Sequence, residues 1–329
     1  MAKQRKTSKV QGNRDLLRIA SFILFDAAVF HEALSATHKH VESLRRRTKP
    51  LQSFLDTEWQ KILAINYEPV FRLSRDILIS FPSSQETEWM LGRVCDSALS
   101  AASSGVLLRH DFMGRVYHKL LLRTTGHYYA TYYTSVPAAT LLANLAVKSP
   151  HPTWKLDQFD DLAGFRVIDP ACGSGTLLSA TYMALKDAYI LSRPEPLDLA
   201  GLHRALVTDV LHGWDVLDFA AHLTLTTLSL HSNRVSVREA NVYTLPAGET
   251  GGAVRLGSLD RLIPQQELLG HGFTRSSVKK GLSGGREQEV PVEPYDLVIM
   301  NPPFRNLSTT LRHSLREFSE QRPCTAPRA

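Results

Sequence analysis

The chain has 329 residues, 43% of them hydrophobic and 21% charged, with a formal net charge of +6. That length accommodates two domains, and the balance excludes a fibrous or disordered chain, while the diffuse basic excess suits contact with a polyanion without identifying one. Its three cysteines, Cys95, Cys172 and Cys324, are far apart and form no CxxC pair, which argues against a disulfide framework or a metal site and for a reducing, cytoplasmic setting.

Residues 1–10 read as a basic tail carrying Lys3, Arg5, Lys6 and Lys9. The apolar stretch Leu16–Phe30 is interrupted by Arg18 and Asp26, so it predicts an amphipathic helix rather than a signal peptide. Nothing in the sequence is long and apolar enough to span a membrane. Residues 11–125 predict a mainly helical region, with helix-spaced apolar residues such as Trp59, Ile62, Leu63 and Ile65, then Leu73, Ile77 and Leu78. Arg45, Arg46, Arg47 and Lys49 form a basic cluster that reads either as a phosphate contact or, by default, as a solvated helix face. Residues 1–125 contain no Asp-x-Lys or Glu-x-Lys, so no nuclease activity of the common metal-dependent type is expected there.

From Thr124 the texture changes. Gly126–Thr134 is a polar aromatic loop, and a helix over Pro137–Val147 follows, proline being tolerated in a first turn. Phe165–Ile168 predicts a first strand, Thr176–Leu191 a helix and Leu211–Val216 a second strand. A helix capped by Asp218 runs to His231, Val235–Arg238 alternates like a third strand, and Tyr295–Met300 is an apolar fourth. Residues 246–294 hold nine of the 19 glycines and predict a loop-rich insertion. Alternating strands and helices predict an α/β doubly wound sheet.

Two segments carry chemistry. In Val167-Ile168-Asp169-Pro170-Ala171-Cys172-Gly173-Ser174-Gly175-Thr176 a strand ends, a tight turn follows and a helix begins. Gly173 and Gly175 permit positive φ and close backbone approach to a ligand, and the amides opening the helix favour an anionic group. No Gly-Lys-Ser/Thr follows, which excludes a P-loop, and the spacing is not GxGxxG. In the second segment, Asp296–Phe304, a strand delivers Asn301 to the carboxyl edge of the sheet, where doubly wound folds place ligands. Pro302 and Pro303 stiffen the backbone there and Phe304 adds an aromatic ring. Each alone is compatible with an ordinary turn; together, 132 residues apart on the first and fourth strands, they favour a ligand site.

The octapeptide Asp-Pro-Ala-Cys-Gly-Ser-Gly-Thr at 169–176 resembles motif I of the N6-adenine DNA methyltransferases. The resemblance implies a Rossmann-like class I methyltransferase sheet over residues 126–304. It also implies that Asp169, Pro170, Ala171, Gly173, Gly175 and Thr176 bind the methionine portion of S-adenosyl-L-methionine. Asn301-Pro302-Pro303-Phe304 resembles the family's catalytic motif. By that likeness the Asn301 side-chain carbonyl and the Pro302 backbone carbonyl accept the two N–H bonds of the adenine amino group, and Phe304 stacks on the flipped base. Asp215, closing Gly213-Trp214-Asp215, resembles the acidic residue that grips the cofactor's ribose. It stands 46 residues past Asp169, against roughly 20 in a compact nucleotide fold, which implies an insertion around Pro194-Glu195-Pro196. Asn241 follows the third strand near the position of an adenine-contacting residue. Tyr132-Tyr133-Thr134 resembles motif X, an aromatic-Thr-Pro segment that closes over the cofactor, with Ser135 in place of proline and Pro137 two residues on. A tyrosine-rich surface loop is the other reading of that stretch.

The order motif X, motif I, catalytic motif is that of the gamma arrangement and is similar to type I restriction-modification methylase subunits and phage-defence methylases. It implies duplex DNA as partner, with a restriction or specificity subunit alongside. RNA base methyltransferases, protein glutamine methyltransferases and a non-catalytic cofactor-binding remnant remain alternatives at this point. Only 25 residues follow Phe304, whereas the family's sheet has three strands after its catalytic motif. A truncated, frameshifted or split product, with an atypical tail at 305–329 and little activity alone, is the expectation.

Overall fold

A computed structural model of the chain describes residues 2–65, 68–103, 134–149, 151, 153–192, 197–232, 235, 240–245, 247–250, 253–258, 279–280 and 294–302. Two hydrophobic cores organise them, one helical and one α/β. The helical core is built by α1 (Ala2–Ser35), α2 (Leu51–Ile65), α3 (Glu68–Ser80) and α4 (Gln85–Ser103). Helix α1 runs through Lys3, Arg5, Lys6 and Lys9, so the basic segment is the start of a helix rather than a separate tail. The predicted apolar spacing is realised in burial: Trp59, Ile62 and Leu78 are fully enclosed, and Phe71 stacks on Phe30 and meets Trp59 edge-on. Arg45, Arg46 and Arg47 each lie beside an acid (Glu32, Glu42 and Asp96), which makes that cluster part of an ion-paired surface.

The second core belongs to α5 (Val136–Lys148), α6 (Phe159–Gly164), β1 (Val167–Asp169), α7 (Thr176–Leu191), α8 (Leu199–Ala205), β2 (Leu211–Asp215), α9 (Asp218–Leu230), β3 (Asn241–Thr244) and β7 (Leu297–Val298). Between β3 and β7 lie β4 (Ala247–Thr250), β5 (Ala253–Leu256) and β6 (Lys279–Lys280). The main sheet has the order β6-β3-β2-β1-β7, with β3, β2, β1 and β7 parallel and β6 antiparallel. From β1 the chain steps outward through β2 to β3 and later returns to β1's other side with β7. The strand order therefore reverses between β1 and β7, the position at which open α/β sheets bind ligands outside their carboxyl ends. Helix α7 is buried nearly all round, from Thr176 to Tyr189, because the sheet covers one side and the alanine face of α5 (Ala139, Ala143) the other.

Several expectations are corrected here. The third strand is Asn241–Thr244 rather than Val235–Arg238, of which 236–238 lie outside the described residues; Val242 faces the main core and Tyr243 the opposite face, an alternation that Val235–Arg238 mimics in sequence. Helix α9 opens at Asp218 with Leu217 in the capping position, so Asp218 is not the cap. The long spacing from Asp169 to Asp215 includes α8 and its π-helical continuation Leu206–Val210; residues 193–196, where an insertion was expected, lie outside the described residues. The glycine-rich insertion carries the β4–β5 hairpin and β6, residues 251–252 lying outside the described residues.

The two cores meet on α9. Asp26 of α1 is wholly enclosed; its Oδ2 accepts a 2.9 Å hydrogen bond from Thr226 Oγ1, and His222 Nε2 lies 3.3 Å from the same oxygen. A buried carboxylate is tolerated only where polar partners replace its water, so this cluster sets the register between units nearly 200 residues apart in sequence. Asp26→Ala leaves Thr226 and His222 buried without that partner and is expected to cost about 1–3 kcal/mol, Thr226→Val less, and the double variant less than their sum. Urea denaturation of the three variants checks this.

Candidate active site

The segment after β1 is a turn braced from three sides. Gly173 (φ 56°) and Gly175 (φ 80°) adopt the left-handed conformation, and Gly175 occupies the cap position of α7. Cys172 N–H donates to Trp214 O at 2.9 Å and Gly173 N–H to Asp215 Oδ2 at 2.9 Å, which tie the turn to β2. From α9, Thr224 Oγ1 donates to Gly173 O at 2.9 Å and Thr227 Oγ1 to Ser174 O at 3.3 Å. Ser258, just past β5, donates to Pro170 O. Asp169 Oδ1 accepts from Ala171 N–H at 3.0 Å, closing the start of the turn on itself.

Thr224, Thr227 and Ser258 are supports that the sequence reading missed. The signal for the first two was available: Thr224, Thr226 and Thr227 stand in a buried, mostly apolar helix, where hydroxyls need partners. Gly213 was also passed over. A Cβ there would lie 2.9 Å from Leu178 and 3.2 Å from Cys172 Sγ, so a glycine in β2 lets the turn and the first coil of α7 settle onto the sheet.

Asp169 and Asp215 are both buried at the carboxyl edge. Asp215 Oδ1 accepts from Leu217 N–H at 2.9 Å while Oδ2 holds Gly173, so its carboxylate spans the ends of β1 and β2. Burial raises the Asp169 carboxyl to about 8, against the pull of the Ala171 amide, with the charge of Asp215 adding to the rise. Burial raises Asp215 too, in spite of the amides of Leu217, Gly173 and Val216, and it keeps the Cys172 thiol neutral. Neither carboxylate has a basic partner among the described residues. Two acids with no counterion around an open glycine turn suit a ligand that brings positive charge.

On the other side of the reversal point, Ile299 N–H donates to Ile168 O at 2.9 Å and extends the β7 pairing to the residue before Met300. Arg166 N–H donates to Asp296 Oδ2 at 2.8 Å, pinning the start of the strand. Asn301 and Pro302 follow, half-buried, and Asn301 Nδ2 donates to Thr134 Oγ1 at 3.0 Å. Ser135 stands at the N-cap position of α5 with extended backbone, and Pro137 lies in the first turn.

The structure therefore brings Thr134, Asp169, Pro170, Ala171, Gly173, Gly175, Thr176, Asp215, Asn301 and Pro302 to one edge of the sheet. Tyr133, Pro303 and Phe304 lie outside the described residues. Asn241 does not join the group. It opens β3 instead of following it, paired in register with His212 at the amino end of the sheet; its Nδ2 donates to Thr208 O at 2.7 Å and its Oδ1 accepts from Tyr243. Trp214 packs with Ile168, Tyr243 and Leu245 in a small core on the sheet's other face. Among the described residues, no group of three or more His, Cys, Asp or Glu is arranged to hold a metal ion, and no helix is long and apolar enough to cross a membrane.

A doubly wound sheet with a braced glycine turn and an Asn-Pro pair flanking its reversal point has the architecture of a Rossmann-like transferase. The N-6 DNA Methylase family model matches residues 108–327, and the chain belongs to that family of DNA methyltransferases. No curated protein matches the sequence.

Two expected outcomes test the turn. In Gly175→Ala the added Cβ meets the Thr224 backbone at 3.0 Å at a positive φ, whereas Gly173→Ala has open space and carries only the conformational penalty. The first is expected to cost about 2–4 kcal/mol and the second about 1–2 kcal/mol, read by chemical denaturation. Because Asp169 is raised in the folded state, the folded chain binds more protons than the unfolded one between about pH 4 and 8, and stability without ligand falls as pH rises through that window. Asp169→Asn keeps the acceptor for Ala171 and is expected to flatten that decline, leaving the part due to Asp215; denaturation midpoints at pH 5 and 8 measure it.

Proposed function

We propose that the chain transfers a methyl group from S-adenosyl-L-methionine to the N6 amino group of adenine in DNA. The observation that carries this reading is the juxtaposition across the sheet's reversal point of the braced turn at 169–176 and Asn301-Pro302. The residues present fit the cofactor: two buried carboxylates without a counterion suit a molecule bearing a sulfonium and an ammonium group, and the left-handed glycines leave the turn's backbone uncovered by side chains. Asp169, Pro170, Ala171, Gly173, Gly175 and Thr176 would hold the methionine part and Asp215 the ribose hydroxyls. Bound there, the cofactor supplies an electrophilic methyl group.

The chain's own residues act on the base. An exocyclic amino group is a poor nucleophile because its lone pair is delocalised into the ring. Asn301 Oδ1 and the Pro302 carbonyl accept its two N–H bonds, which localises the lone pair and aims it. Phe304 stacks on the adenine once it has left the duplex, a contact worth roughly 1–3 kcal/mol. Placement and preorganised acceptors supply the catalysis. The likeness to modification subunits suggests a restriction-modification or phage-defence setting, with a restriction or specificity subunit as partner. A cytoplasmic location suits the free, buried thiols of Cys95 and Cys172.

The test is incubation of the chain with tritiated S-adenosyl-L-methionine and, in parallel, unmethylated duplex DNA, ribosomal RNA and release factor. Label, at whatever level the chain sustains alone, is expected as N6-methyladenine in DNA. Asn301→Ala is expected to lower turnover by about 10²- to 10³-fold, the loss of one preorganised polar contact to the reacting group, with cofactor affinity within about twofold. Label in RNA or protein alone would refute the assignment.

A further inference from the structure

We propose that Thr134 is a positioning residue for Asn301, holding its amide so that the carbonyl, not the amino group, faces the substrate. The proposal rests on the function proposed above and deepens it. A carboxamide has two ends of nearly equal size and opposite hydrogen-bonding sense. For Asn301 to accept a hydrogen bond from an adenine amino group, Oδ1 must point at the base; the amide turned by half a revolution presents N–H to N–H and repels it. The Asn-Pro-Pro backbone cannot settle this choice, because rotation about the last side-chain bond leaves the backbone where it is.

The structure supplies a partner that takes the amino end, the Thr134 hydroxyl acting here as acceptor although it can also donate. Asn301 Nδ2 donates to Thr134 Oγ1 at 3.0 Å, between residues 167 positions apart. With the amino end engaged, Oδ1 is left for the substrate. Thr134 can hold the amide because it is itself held. It immediately precedes the Ser135 cap of α5, where Ala139 N–H donates to Ser135 O at 2.9 Å. The face of α5 carrying Ala139, Ala143 and Val147 is buried in the methyltransferase core. Threonine's β-branch restricts its χ1 further. The likeness to motif X assigns Thr134 to the cofactor; the contact observed is with the catalytic amide. The two roles make different predictions.

The experiment compares the full chain with Thr134→Val, which removes the acceptor at constant shape, and Thr134→Ser, which restores it. Three quantities are read: calorimetric affinity for S-adenosyl-L-methionine, single-turnover methyl transfer to unmethylated plasmid DNA, and the ¹⁵N–¹H side-chain signals of Asn301, assigned by their loss in Asn301→Ala. Thr134→Val is expected to leave cofactor affinity within about twofold and shift the Asn301 amide signals. Methyl transfer should fall about 5- to 30-fold, the factor that corresponds to one lost hydrogen bond. Thr134→Ser is expected to recover both.

Asn301 signals that stay in place in Thr134→Val overturn the proposal whatever the turnover, and weakened cofactor affinity with unmoved signals would assign Thr134 to the cofactor instead. A wild-type chain that binds no S-adenosyl-L-methionine overturns the functional reading and this proposal with it. A wild-type chain that binds cofactor, with Thr134→Val indistinguishable from it, overturns this proposal alone.

Discussion

The carboxylate of Asp215 accepts one amide from Gly173 and another from Leu217, and the α/β unit depends on that pair of bonds. They join the turn that follows β1 to the turn that follows β2. Each turn leads into a helix, so the same group fixes where α7 and α9 begin. A side chain with only one acceptor could serve one amide, and an apolar residue would leave two buried donors unmade. The cost is a charge held away from water beside Asp169, which raises both carboxyls. Such an arrangement is poorly compensated until something positive arrives, which is a reasonable condition for a binding edge and a poor one for an inert core.

Helix α9 extends this bracing in two directions. Thr224 and Thr227 face the glycine turn and satisfy the carbonyls of Gly173 and Ser174, while Thr226 faces the other way and meets Asp26 of α1. Three hydroxyls within four positions thus connect the helical core, through one helix, to the turn. Because Asp26 is wholly enclosed, the contact cannot slide without leaving a buried polar group unmet. The N-terminal unit is therefore mechanically part of the scaffold behind the site.

Much of the α/β unit was legible in the sequence. Helix α7 starts at Thr176 and ends at Leu191 as predicted, because a glycine turn and an apolar run bound it on local grounds. Strand β2 is short by one residue of its expectation, and β7 by more. Where the reading failed, two local patterns competed. Val235–Arg238 and Asn241–Thr244 both alternate, and only pairing with β2 selects the second. Asn241 followed that error: displaced from the end of a strand to its beginning, it lies at the opposite edge from Asp215 and hydrogen-bonds Thr208. The glycine-rich insertion concealed two strands of a hairpin for a related reason, since strands of four residues are too short to establish a period.

The sequence by itself determined the family, because the glycine turn and Asn-Pro-Pro are local patterns readable along the chain. It located three of the four parallel strands along the chain, β1, β2 and β7. Only the tertiary structure decided how those strands lie side by side, with the reversal falling between β1 and β7. It also decided which polar groups meet across long sequence separations: Asp215 with Gly173, Thr226 with Asp26, Asn301 with Thr134. Hydrogen bonds of that kind depend on distance and direction after packing. No periodicity or spacing along the chain encodes them.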